Sequence, residues 1–119
     1  LVVEDDRPLL EFFSVLLRRD GYSILAASNG GEALEIADSA PNARIDILLN
    51  GVAMPHMDGI QLSERLRENR PDINVLLISG LPQQAVLDRC PPSFTPNFLS
   101  KPFSVTELSG MVRHFAAAV

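Results

Sequence analysis

The sequence predicts a single α/β domain, a doubly wound, five-stranded parallel sheet with helices on both faces. Three observations carry this reading. Strand-like and helical periodicities alternate along the whole chain, five of each. One strand-like segment, Val75 to Ile78, is continuously apolar, as suits a strand covered on both sides. The 119 residues fill one domain and can bury a core without a disulfide or structural metal. Right-handed crossovers between parallel strands then fix the winding.

The elements follow in order. Leu1-Val2-Val3 is a buried first strand ending at Glu4-Asp5-Asp6, and the chain is expected to begin inside it. Asp6 can cap a helix with Pro8 in its first turn, along which Leu9, Phe13, Leu16 and Leu17 recur at helical spacing. Asp20-Gly21 ends that helix, and Tyr22 to Ala26 reads as the second strand. Asn29-Gly30-Gly31 reads as a turn before a helix over Glu32 to Ser39, which Pro41-Asn42 breaks. Ile45 to Asn50 is the third strand. Beyond the Pro55-His56-Met57 loop, Asp58 and Gln61 have capping-box spacing, and Leu62 and Leu66 give the helix its buried face. Ile73 to Ile78 is the fourth strand, ended by Ser79-Gly80. Gln83 to Arg89 reads as a short helix that Pro91-Pro92 cannot continue. Asn97 to Ser100 is the fifth strand. Ser104 and Glu107 repeat the capping-box spacing ahead of a last helix striped by Leu108, Met111, Val112 and Phe115.

Composition excludes several functions. The formal net charge of −5 disfavours nucleic-acid binding through this chain's own surface. No apolar run approaches a membrane span, and no signal-peptide pattern precedes the first acids. One cysteine, Cys90, rules out an internal disulfide and fits a reducing, cytoplasmic compartment. With two histidines beside it, zinc has too few ligands of these types. Cys90 reads as a structural thiol, His56 as a loop residue and His114 as a helix-face residue.

In a doubly wound sheet, functional groups gather beyond the carboxyl ends of the strands. Here that edge presents Glu4, Asp5 and Asp6 after strand one, Asn50 and Gly51 after strand three, Ser79 and Gly80 after strand four, and Lys101 and Pro102 after strand five. Carboxylates suit a hard cation such as Mg²⁺. A lysine and a hydroxyl can hold phosphoryl oxygens. Each feature alone is common on ordinary surfaces; their convergence on one edge is the signal.

The order of these motifs resembles the receiver domain of bacterial two-component response regulators. The resemblance spans the chain and rests on Val2-Val3-Glu4-Asp5-Asp6, Met54-Pro55-His56-Met57-Asp58-Gly59, Ile78-Ser79-Gly80 and Lys101-Pro102-Phe103. The stretch before Phe98-Leu99-Ser100-Lys101-Pro102-Phe103 looks like receivers fused to hybrid sensor histidine kinases. The resemblance implies a flavodoxin-like strand order 2-1-3-4-5 over residues 1–119. It also implies phosphoryl transfer from a phosphohistidine to an aspartate at the end of strand three. By the same resemblance Glu4, Asp5 and the Ala53 carbonyl are the Mg²⁺ ligands, Ser79 and Lys101 support phosphoryl transfer, and Ser79 with Phe98 forms the switch. The Lys101–Pro102 peptide is expected to be cis.

One position departs from that pattern. The family's acceptor lies four residues before the proline of the Met-Pro motif, and five after an acid at the start of strand three. Counting from Pro55 and from Asp46 gives the same residue, Gly51. Asn50 is adjacent but faces the other side of the strand, and an amide is a poor nucleophile. Asp46 lies roughly 16 Å away along an extended strand. Asp58 is committed to capping. With one carboxylate gone, Mg²⁺ binding is expected to be weak, and Lys101 is expected to pair with Glu4 or Asp5. Asn50-Gly51 is also a context prone to deamidation, which an ordered strand end slows.

Three functional readings stay open. The first is a receiver-fold module that cannot be phosphorylated at the usual site and acts by protein docking, without enzymatic activity of its own. The second is a receiver inactivated by substitution at position 51. The third is a flavodoxin-like small-ligand-binding protein, against which stands the acidic, glycine-free turn after strand one. The resemblance implies a histidine kinase or histidine phosphotransfer domain as partner, a fused kinase or output domain, and room for a homodimer.

Overall fold

The computed structural model describes residues 1–54, 56–92, 94 and 96–117. Five strands and five helices alternate: β1 (Val2–Val3), α1 (Arg7–Arg19), β2 (Ala26–Ala27), α2 (Gly30–Ser39), β3 (Ile47–Gly51), α3 (Gly59–Asn69), β4 (Asn74–Ser79), α4 (Gln83–Leu87), β5 (Asn97–Ser100) and α5 (Val105–Ala117). All strand pairs are parallel, in the order β2-β1-β3-β4-β5. This is the expected doubly wound, flavodoxin-like sheet.

Side-chain alternation along the strands sorts the interior into two cores. Val2, Leu49, Leu76, Ile78 and Leu99 join Phe13, Leu16 and Leu17 of α1 and Leu108 and Val112 of α5. Val3, Leu48, Val75 and Leu77 face α2, α3 and α4, through Ala33, Ala37, Ile60, Leu62, Leu66 and Val86. Helices therefore cover both faces, and β3 and β4 are buried on both sides, which explains their unbroken apolar runs.

The helix starts follow local chemistry. The Asp6 carboxylate accepts from the Leu9 backbone N–H, with Pro8 in the first turn of α1. At α3 both halves of the Asp58–Gln61 capping box form. Ser104 Oγ accepts from the Glu107 N–H at the start of α5.

Several boundaries differ from expectation: the third strand, read as Ile45 to Asn50, is Ile47–Gly51, the fourth, read as Ile73 to Ile78, is Asn74–Ser79, and the short helix read as Gln83 to Arg89 stops at Leu87. The second strand is reduced to Ala26–Ala27, paired with Val2 and Val3, and the Leu25 and Ala27 carbonyls accept from the N–H groups of Val2 and Glu4. Tyr22 and Ile24 instead pack against the α1–α5 core. Helix α2 starts at Gly30, since the Asn29 side chain accepts from the Glu32 N–H and makes the supposed turn an N-cap.

Candidate functional site

Strand register decides what meets at the carboxyl edge. Val3 lies opposite Asn50, Gly51 opposite Ile78, and Ser79 opposite Ser100. The next residue on β1, Glu4, thus stands beside Gly51 at the end of the central strand. Lys101 is drawn in by its own N–H, which donates to the Ser79 carbonyl at 2.9 Å. The residues singled out after strands one, three, four and five do converge.

Their side chains are unequal. Glu4 is buried at 5% exposure, while Asp5 and Lys101 are exposed. A Cβ placed on Gly51 would stand 2.8 Å from Glu4 Oε2, so the Glu4 carboxylate lies over the face of Gly51. Burial pushes the Glu4 carboxyl above its usual range; the Lys101 charge pulls the other way, and neighbouring Asp5 adds to the rise. The expected ion pair is not formed: the ion pairs among the described residues are Arg44–Asp46 and Arg89–Asp58, and Lys101 takes part in neither.

Ser79 is buried, and its Oγ accepts from the Leu81 N–H at 2.9 Å, which closes the turn after β4. Phe98 is half-buried and packs against the α2–α3–α4 core. The Lys101–Pro102 peptide is cis. Phe103, beyond it, stacks on Phe13 of α1 with ring centroids 5.9 Å apart. Ala53 is exposed just past the end of β3, and Pro55 of the Met-Pro motif lies outside the described residues.

Asn50 faces away from this cluster, as strand alternation requires. Its Nδ2 donates to the Gly59 carbonyl at 2.9 Å, and its Oδ1 is buried with no hydrogen-bond partner among the described residues. The side chain is 1% exposed and held in the β3–α3 contact, which opposes deamidation. Cys90 is half-buried; burial raises its thiol pKa, Glu64 and Asp58 add to the rise, and Arg89 opposes it.

Sequence reasoning missed two residues here. Gly59 abuts β3 so closely that a Cβ would lie 2.1 Å from the Gly51 carbonyl oxygen. His56 sits at φ 66° in the loop between β3 and α3. Both residues stand in the Met54-to-Gly59 motif, but nothing in its spacing marks the close approach at Gly59 or the left-handed backbone at His56.

As a cation site the edge is thin. Mg²⁺ uses one or two carboxylates with water and phosphate oxygens. Here the Glu4 carboxylate lies beside Gly51, and position 51 offers no side-chain donor. No group of three or more His, Cys, Asp or Glu among the described residues is arranged to hold a metal ion. Glu4 and Asp5 are the carboxylates this edge could offer a cation, without a side-chain oxygen from position 51. No described helix is long and apolar enough to cross a membrane.

Comparison with known proteins agrees with the fold. Residues 1–113 match the family model described as response regulator receiver domain. The chain is 35% identical over 113 residues to sensor kinase CckA of Brucella abortus (strain 2308), covering 95% of this chain but 12% of that protein. It is 32% identical to the response regulator receiver protein CpdR of the same strain, over 91% of this chain and 88% of that one. Among solved structures, the receiver domain from hybrid histidine kinase CckA superposes with a TM-score of 0.78 at 32% identity, covering 96% of this chain and 94% of that one. With the sheet order, the strand-end cluster and these likenesses in agreement, this chain belongs to the response regulator receiver domain family of two-component signalling.

Proposed function

We propose that residues 1–119 form an atypical receiver that takes no phosphoryl group at the usual position and acts by docking to a partner protein. Receiver domains exchange signals with histidine kinases or phosphotransfer proteins, and one of these is the partner proposed here. A fused kinase is the proposed context, in line with the likeness to a sensor kinase that this chain matches over 12% of its length. The observation that carries the reading is Gly51 itself: the residue at the end of the central strand, flanked by Glu4 and Ile78, has no side chain. An aspartyl phosphate needs a carboxylate oxygen as its nucleophile, and glycine supplies none from that position.

The other residues keep supporting parts. Ser79 and Lys101 hold the ends of β4 and β5 together through the main-chain bond between them. Phe98, packed on the core, stays fixed rather than swinging with a phosphorylated site. The Mg²⁺ ligands implied by resemblance, Glu4, Asp5 and the Ala53 carbonyl, carry no step in this mechanism. The domain is proposed to work in the cytoplasm and to have no enzymatic activity of its own.

The test is binding of a histidine kinase or phosphotransfer domain, measured by calorimetry with and without acetyl phosphate and Mg²⁺. Equal affinity in both conditions is expected of this chain. An affinity that changes with the phosphodonor would contradict the reading. A second reading, a receiver switched off by substitution at 51, shares the same geometry. It predicts that Gly51→Asp regains a phosphodonor response.

A further inference from the structure

We propose that two copies of this chain pair through the outer face of helix α1, antiparallel and related by a two-fold axis. The helix buries one side and leaves a seam on the other. Phe13, Leu16 and Leu17 face the core, while Phe12 and Val15 are 43% and 50% exposed. Pro8 and Arg19, both exposed, lie one turn to either side. Pro8, Phe12, Val15 and Arg19 thus form a line with spacings of four, three and four residues. That spacing is the same read from either end. Reversing one copy therefore sets Phe12 against Val15 of the other, and the two-fold repeats the contact.

Charge favours a second copy in this orientation. Beside the seam stand Glu11 toward its start and Arg18 toward its end, both exposed. In the reversed pairing Glu11 of one copy falls within about two residues, or roughly 3 Å along the axis, of Arg18 in the other. The two-fold makes this two opposite-charge pairs. A parallel pairing would set Glu11 on Glu11 and Arg18 on Arg18. Reversed helices also oppose their dipoles. Asp20, at the end of the helix, is engaged within its own chain, where it accepts from Ser109 Oγ of α5 at 2.9 Å. One helix face is smaller than a permanent interface needs, so the pair is weak and forms at high concentration. The contact does not involve Gly51 and stands apart from the reading of that position.

The experiment is sedimentation equilibrium of the full chain from about 10 µM to about 1 mM. The average mass is expected to climb from 13.0 kDa toward twice that value. Val15→Asp, at an exposed position, is expected to keep the parent's circular dichroism and stay at the monomer mass. Glu11→Arg and Arg18→Glu are each expected to weaken pairing by about fivefold or more, because two attractions become two repulsions. Both substitutions in one chain, or the two single variants mixed, are expected to restore it. A monomer mass at the highest concentration would overturn the proposal. So would a dimer that Val15→Asp leaves intact, since it would use another face. Failure of the paired exchange to restore association would overturn the antiparallel arrangement. Amide shifts along α1 that arise only on adding a histidine phosphotransfer domain would give the face to that partner and overturn the proposal.

Discussion

At Gly59 backbone meets backbone, and a Cβ there would lie 2.1 Å from the Gly51 carbonyl oxygen and 3.0 Å from Asn50 Nδ2. Gly59→Ala must therefore push α3 off β3, and urea unfolding is expected to show a loss of about 2 kcal/mol or more. His56 poses the opposite case, a side chain at φ 66° where glycine is at ease. His56→Gly is expected to leave stability unchanged or raise it by up to about 1 kcal/mol, as strain relief offsets added chain entropy. Glu4 gives the chain a pH dependence of known sign. Burial raises its native pKa above the usual 4.5, so through that interval the folded chain holds a proton the unfolded chain has released. The contribution of Glu4 to stability therefore falls as pH rises from 4.5 through its raised native value. Glu4→Gln removes the titration. Its stability relative to the parent is expected to climb with pH across that interval and then level off, as read from urea midpoints at a series of pH values. Two spacings, to Pro55 and to Asp46, mark residue 51 as the proposed acceptor position. The burial of Glu4 was not legible, because it depends on space that only packing defines.

Element boundaries show where local chemistry is enough. Helix α3 begins where the Asp58–Gln61 spacing placed it, and β5 spans the expected Asn97–Ser100. Asp58 also ion-pairs with Arg89, two residues past the end of α4. Asp58→Ala is expected to cost about 1–2 kcal/mol through the lost cap. Arg89→Ala, removing only a half-exposed pair, is expected to cost well under about 1 kcal/mol. Thermal melts of both variants give the comparison. Arg70, just past α3, donates to the carbonyls of Ala37, Ala40 and Ala43 and so ties down the end of α2. Nothing in its spacing announced this, since the partners are about thirty residues upstream. The start of α2 was misread for a different reason. Two glycines suggested a turn, yet Gly30 is small because Met57 crowds it, with Sδ 2.9 Å from where a Cβ would be. Strand β2 was overextended because an apolar run looks the same whether it pairs or merely packs.

For the whole molecule, the alternating periodicities sufficed to give the sheet, because each strand carries its assignment to two cores in consecutive residues, as Val2 and Val3 or Leu76 and Leu77 do. That sheet then delivers Glu4, Gly51, Ser79 and Lys101 to one edge whatever their identities, so a receiver frame persists around a glycine at the end of its central strand. This frame is proposed to form no acyl phosphate. The most direct test is intact-mass spectrometry after incubation with acetyl phosphate and Mg²⁺, beside a receiver that retains its aspartate. The expected spectrum shows the unsubstituted chain at its starting mass while the control gains about 80 Da. A gain of about 80 Da on this chain, mapped to any side chain, would contradict the account.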